Sequence, residues 1–191
     1  MGLEIQIMTN NDDNLYLDED KTGQDETINA FSLSGTFCAL MDRRNEISSV
    51  AEFDQIAKIT EIDISSIYEM EDYPDEETID YYLSAAKNDK ERQALKKQFE
   101  INKIKLTGNI DRVLLTVNNL IDKLNLIENL PALLLPIKRD TLKNNSYFAD
   151  FQIDKAKEYT ENNFGQDLRN LNRFLTLAKK NGIETVWFNY G

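Results

Sequence analysis

The chain has 191 residues with 34 Asp and Glu against 22 Lys and Arg, a formal net charge of −12. One Cys and no His exclude an internal disulfide, Ser-His-Asp and Cys-His catalysis, and zinc sites built on imidazole or on several thiolates. A hydrophobic fraction of 41% is that of a folded protein and argues against general disorder.

The N-terminus reads Met1-Gly2-Leu3-Glu4-Ile5-Gln6, with neither a basic n-region nor an apolar core. No secretory leader is therefore expected, and Gln6 occupies the position where a myristoylation motif has Ser or Thr. The longest apolar runs, such as Leu133-Leu134-Leu135, are too short to cross a bilayer. The expectation is a cytoplasmic protein with no membrane partner.

In chain order, Leu3 to Ile7 alternates polar and apolar residues and reads as a strand with one buried face. Residues 9–27 are rich in Asn, Asp, Glu and Gly and read as an acidic loop. Within it, Asp18-Glu19-Asp20-Lys21-Thr22-Gly23 opens like a calcium loop, but Asn29 stands where the bidentate Glu belongs. A solvated loop is the better reading, and no cofactor is expected. A helix is expected from Ala30 to Arg44 with Phe37, Leu40 and Met41 inside, and Cys38 in that apolar run reads as a buried, inert thiol. Ser49 and Glu52 have capping-box spacing ahead of a helix burying Phe53, Ile56 and Ala57.

Ile62, Ile64, Ile67 and Met70 suggest a strand or an irregular connector. Pro74 with Asp75, Glu76 and Glu77 marks a helix start, followed by Ile79, Tyr82, Leu83 and Ala86 on one face. Residues 89–105 are helical by propensity with a ragged apolar stripe. Two helices are read most clearly: one carrying Ile110, Val113, Leu114, Val117, Ile121 and Leu124, the other Leu168, Leu171, Phe174, Leu175 and Ala178 with Gly182 at its C′ position. Leu130 to Ile137, flanked by prolines, reads as a short buried piece, and Tyr147 to Asn163 as a further helix. Thr185 to Tyr190 is β-branched and aromatic and reads as a strand covered on both faces, pairing with the N-terminal one. The fold class is α+β: a single, mostly helical domain over 1–191 with a small sheet joining its two ends.

Charge is segregated along the chain. Residues 1–86 hold 21 acidic and 4 basic side chains, whereas residues 87–191 hold 13 acidic and 18 basic. Between Lys58 and Lys87 there is no basic residue. The densest acidic stretch, Tyr68, Glu69, Glu71, Asp72, Tyr73, Asp75, Glu76, Glu77, Asp80 and Tyr81, is either a solubilising surface or a recognition face for a basic protein, since tyrosines anchor interfaces and carboxylates steer cations. The basic residues of the second portion are scattered lysines without a nucleic-acid signature, and an isoelectric point near 4.5 opposes phosphate binding. Nucleic acid is therefore not an expected partner. No Gly-rich phosphate loop occurs, and Asp75 lacks the downstream Glu-x-Lys of a metal-dependent nuclease. The leading expectation is a non-enzymatic acidic binding or inhibitor protein, of the immunity or anti-defence type. The alternatives are a homo-oligomeric scaffold and an enzyme built on carboxylates and metal. The sequence sets neither oligomeric state nor partner identity.

Overall fold

The computed structural model describes residues 5–10, 31–42, 50–135, 145–155 and 159–190. Residues 18–29 of the calcium-like loop and Ser49 lie outside them. The described elements are β1 (Ile5–Thr9), α1 (Gly35–Asp42), α2 (Glu52–Thr60), α3 (Ser65–Tyr68) running into a 3-10 turn at Glu69–Asp72, α4 (Glu76–Ala85), α5 (Asp89–Leu106), α6 (Ile110–Leu124), a 3-10 turn at Leu130–Ala132, α7 (Asn145–Phe148), α8 (Phe164–Lys180) and β2 (Val186–Tyr190). β1 and β2 pair antiparallel, from Ile5 opposite Tyr190 to Thr9 opposite Val186. The α+β architecture with its terminal sheet is thus realised.

The core is built where apolar periodicity is strongest. α6 buries Ile110, Val113, Val117, Leu120 and Leu124, and α8 buries Leu168, Leu171, Leu175 and Ala178. These two helices pack on each other, while α3 packs on α6 and α1 on β1. Polar side chains fix the joints. The side-chain amide of Asn109 donates to the Val186 carbonyl at 2.8 Å and accepts from Val186 N–H at 2.9 Å, which ties the start of α6 to β2. Ser66 donates to Thr116 at 2.8 Å between α3 and α6. At the end of α8, Gly182 at φ +79° closes a Schellman turn in which Ile183 N–H reaches the Ala178 carbonyl.

Several expectations are corrected. The helix around Phe37 begins at Gly35 because Ser34 caps it, its Oγ accepting from Phe37 N–H at 3.1 Å. The helix expected from Ser49 starts after Ala51, with no side-chain cap. Residues 65–72 are helical turns, not a strand. Pro74 precedes the helix it announces, and Asp75 is the N-cap. Of the expected buried piece from Leu130 to Ile137, residues 130–135 are described, and among them Leu130 is buried, Leu134 packs half-buried against the core and Leu135 is 71% exposed. Residues 147–163 are not one helix: α7 stops at Phe148, and Asp150 takes φ 51°. That turn is held from α8, where Asn163 Nδ2 donates to the carbonyls of Asp150 and Ile153 at 3.0 and 2.9 Å, and Arg169 Nη1 to that of Phe151 at 2.7 Å. β2 is covered unevenly, with Val186 and Phe188 buried and Tyr190 exposed.

Candidate functional site

The acidic stretch divides at Pro74, which is itself buried. Before it, Ile64, Ile67 and Met70 are buried and hold the chain against the core. The polar side chains between them are accordingly engaged inside the molecule. Tyr68 packs edge-on against Phe53 and donates its hydroxyl to Asp54 at 3.0 Å. The Glu69 side chain, 16% exposed, lies 2.7 Å from Lys105 Nζ and 2.9 Å from Arg112 Nη2. Glu71 accepts from the Tyr190 hydroxyl, and Tyr73 stacks on Trp187 with ring centroids 4.3 Å apart. Asp72 is exposed, and its backbone carbonyl accepts from Asn102. Tyr68 thus fastens α3 to α2, while Glu69, Glu71, Asp72 and Tyr73 attach the 3-10 turn to β2, to the base of α5 and to the start of α6.

After Pro74 the picture reverses. Asp75 accepts from Thr78 N–H at 2.7 Å and starts α4, with Glu76 in a first turn that favours negative charge. Asn88 caps α5 in the same way through Glu91 N–H, and Glu91 returns a bond to Lys87 N–H at 2.8 Å. None of the described side chains from residue 75 to residue 105 is buried. α4 and α5 pack on each other as a hairpin, joined at their middle by the rings of Tyr82 and Phe99, and α5 rests at its base on the Glu69–Asp72 turn. Glu76, Asp80 and Tyr81 face solvent, Tyr81 with 68% of its surface exposed and Tyr82 with 49%. The expected inner stripe of Ile79, Tyr82, Leu83 and Ala86 is therefore only half covered. The hairpin is an arm, held by caps and helix propensity more than by a core.

A second cluster carries no signal in the sequence. Asp167 on α8 is fully buried, and four donors converge on it: Ser34 N–H at 2.9 Å and Asn162 Nδ2 at 2.8 Å on Oδ1, the Ser34 and Tyr147 hydroxyls at 2.6 and 2.7 Å on Oδ2. Burial nevertheless pushes its pKa up, to about 6, and raises that of Tyr147 well above the usual phenol value. Cys38 is buried as expected, and burial lifts its thiol to about 11, with Asp42 and Glu71 adding to the effect. Among the described residues, no three acidic or thiol side chains come together as a metal site would require, and no helix is long and apolar enough to cross a membrane.

The sequence matches no known family model, no curated protein and no solved structure.

Proposed function

We propose that the protein is a non-enzymatic binding protein of the inhibitor or immunity type, which offers α4 of its arm to a basic protein partner. The observation that supports this reading is an arm with no buried side chain among its described residues, whose first helix carries carboxylates, tyrosines and no basic residue. A segment that contributes nothing to the core is not explained by stability, and exposed aromatic side chains beside carboxylates are what a cationic surface recognises. The recognition face is accordingly narrower than the acidic stretch: Glu76, Asp80, Tyr81 and Tyr82 serve it, whereas Tyr68, Glu69, Glu71 and Tyr73 are engaged within the molecule.

The test is capture from the native cell extract with the whole chain as bait. A cationic protein retained at low salt and released at high salt is expected, and Glu76→Lys/Asp80→Lys should lose it while retaining wild-type helix content. With that partner purified, the double reversal should slow association about tenfold or more. Equal capture by the variant, or an association rate indifferent to salt, refutes the proposal.

A further inference from the structure

Both legs of the arm end on the same strand. On the α5 side the helix closes at the buried Leu106, and Gly108, at φ +74°, turns the chain toward α6. The chain then runs along the start of β2. Gly108 N–H donates to Thr185 Oγ1 at 3.0 Å, Asn109 holds both backbone groups of Val186, and Ile110 N–H reaches the Glu184 carbonyl at 3.1 Å. On the α4 side, Tyr73 stacks on Trp187 directly before the buried Pro74 and the N-cap Asp75. Side chains alternate along β2, so with Val186 and Phe188 buried in the core, Trp187 stands on the opposite face of the sheet. Its Nε1 is buried without an acceptor among the described residues. An unmade bond of that kind costs stability, so what Trp187 offers the joint is its ring face.

We infer that β2 is the mount that sets the direction of the arm, with Tyr73, Trp187 and Asn109 as positioning residues for the α4 face. The two legs are held by different means, a ring stack on one side and backbone and amide bonds on the other. A joint fixed at both legs resists rotation about either one. Length makes this matter. α5 has 18 residues and spans about 27 Å at about 1.5 Å per residue, so turning its base by about 10° carries its far end about 5 Å. The other tie at the base, from Lys105 to Glu69, is an ion pair whose lysine is half exposed, and such pairs hold a geometry weakly. The inference rests on the reading above only for what the arm recognises; the direction of the arm is a property of the chain alone.

Double electron–electron resonance on the full chain measures that direction. Spin labels go on Lys90→Cys, at the far end of α5, and Asn119→Cys on α6, both exposed positions; Cys38 is buried and does not compete for label. The chain carrying only the two labels should give one narrow distance distribution. Tyr73→Ala and Trp187→Ala should each shift its centre or widen it by about 5 Å, and Asn109→Ala should do the same from the other leg. Trp187→Phe keeps an aromatic face and removes the unpaired N–H, so it should retain the narrow distribution. Tyr73 lies outside the sheet, and Tyr73→Ala keeps the test decisive if Trp187→Ala does not fold; unchanged helix content by circular dichroism is the control. A broad distribution before any of these substitutions, or an unchanged one in Tyr73→Ala, overturns the inference. An arm that moves in Tyr73→Ala while a basic protein is captured as well as before upholds the mount and refutes α4 as the recognition face.

Discussion

Replacing Asp167 by Asn removes a charge from the core while keeping the shape of the side chain. At neutral pH the wild-type carboxyl is ionised, yet burial outweighs its hydrogen bonds and holds its pKa at about 6 against an ordinary 3.8. That difference corresponds to about 3 kcal/mol at about 1.4 kcal/mol per pH unit. Between these two values the folded protein keeps a proton that the unfolded chain has released. Its stabilising effect is complete below about pH 4 and is lost as pH rises through about 6. The amide does not titrate. With its oxygen toward Ser34 N–H and Asn162 Nδ2, it retains both N–H donors, and its own N–H₂ faces two hydroxyls that can turn to accept. Asp167→Asn should therefore stabilise the fold at about pH 7.5 by up to about 3 kcal/mol, a gain that shrinks toward zero near pH 4. Urea unfolding of both proteins side by side from about pH 5 to pH 8 measures this, because every other carboxylate titrates alike in the two and cancels in the difference. A variant less stable than wild type at neutral pH, or a difference that does not change with pH, refutes the reasoning and means that the four donors prevail over burial. Asp167→Ala is the contrasting case. It leaves two buried N–H groups without an acceptor and should cost about 3–5 kcal/mol.

Two further substitutions test the joint between α8 and the turn it holds. A methyl group on Gly165 would lie 1.9 Å from the Phe151 carbonyl oxygen, the same oxygen that accepts from Arg169, so Gly165→Ala must displace backbone. A loss of about 2–4 kcal/mol is expected from overpacking and the weakened bond, read as a lower urea midpoint, and an unchanged midpoint would contradict the close approach. Asn163 caps α8 through Gln166 N–H at 2.8 Å and donates to the turn carbonyls of Asp150 and Ile153. Asn163→Ala should cost about 3 kcal/mol. Asn163→Asp keeps the cap but faces those carbonyls with a carboxylate, and should be no more stable than the alanine variant in the same unfolding assay.

How far the fold was legible depended on whether an element is specified by its own pattern or by distant partners. α6 and α8 are buried along the stripes that their spacing marks, and β1 and β2 carry enough alternating or β-branched character to be read as strands. Residues 147–163 look helical by composition, but their conformation is imposed by Asn163 and Arg169, and no window over the turn itself contains that information. The arm shows the opposite limit. Its stripe of Ile79, Tyr82 and Leu83 has the spacing of a core face, yet periodicity records only that a helix is amphipathic, not how completely its apolar side is covered. Asp167 was invisible for a related reason: a carboxylate within a polar-dotted helix reads as surface until Ser34 and Tyr147 are brought against it.

The charge segregation of the sequence survives folding only in part, and the place where it divides follows from packing. Up to Pro74 the chain is pinned by Ile64, Ile67 and Met70, so its carboxylates lie close to the body and find partners there, Glu69 in Lys105 and Arg112 and Glu71 in Tyr190. From residue 75 to residue 105 no described side chain is buried, and α4 carries no basic residue to pair with its carboxylates. A uniform run of acids along the sequence thus becomes two surfaces with different duties. The first fastens the arm at its root, and the second is left facing outward with its charge uncompensated by the helix that carries it. On the reading proposed above, recognition can then change by substitution along α4 without disturbing the core, because the described side chains of α4 are not among the buried ones.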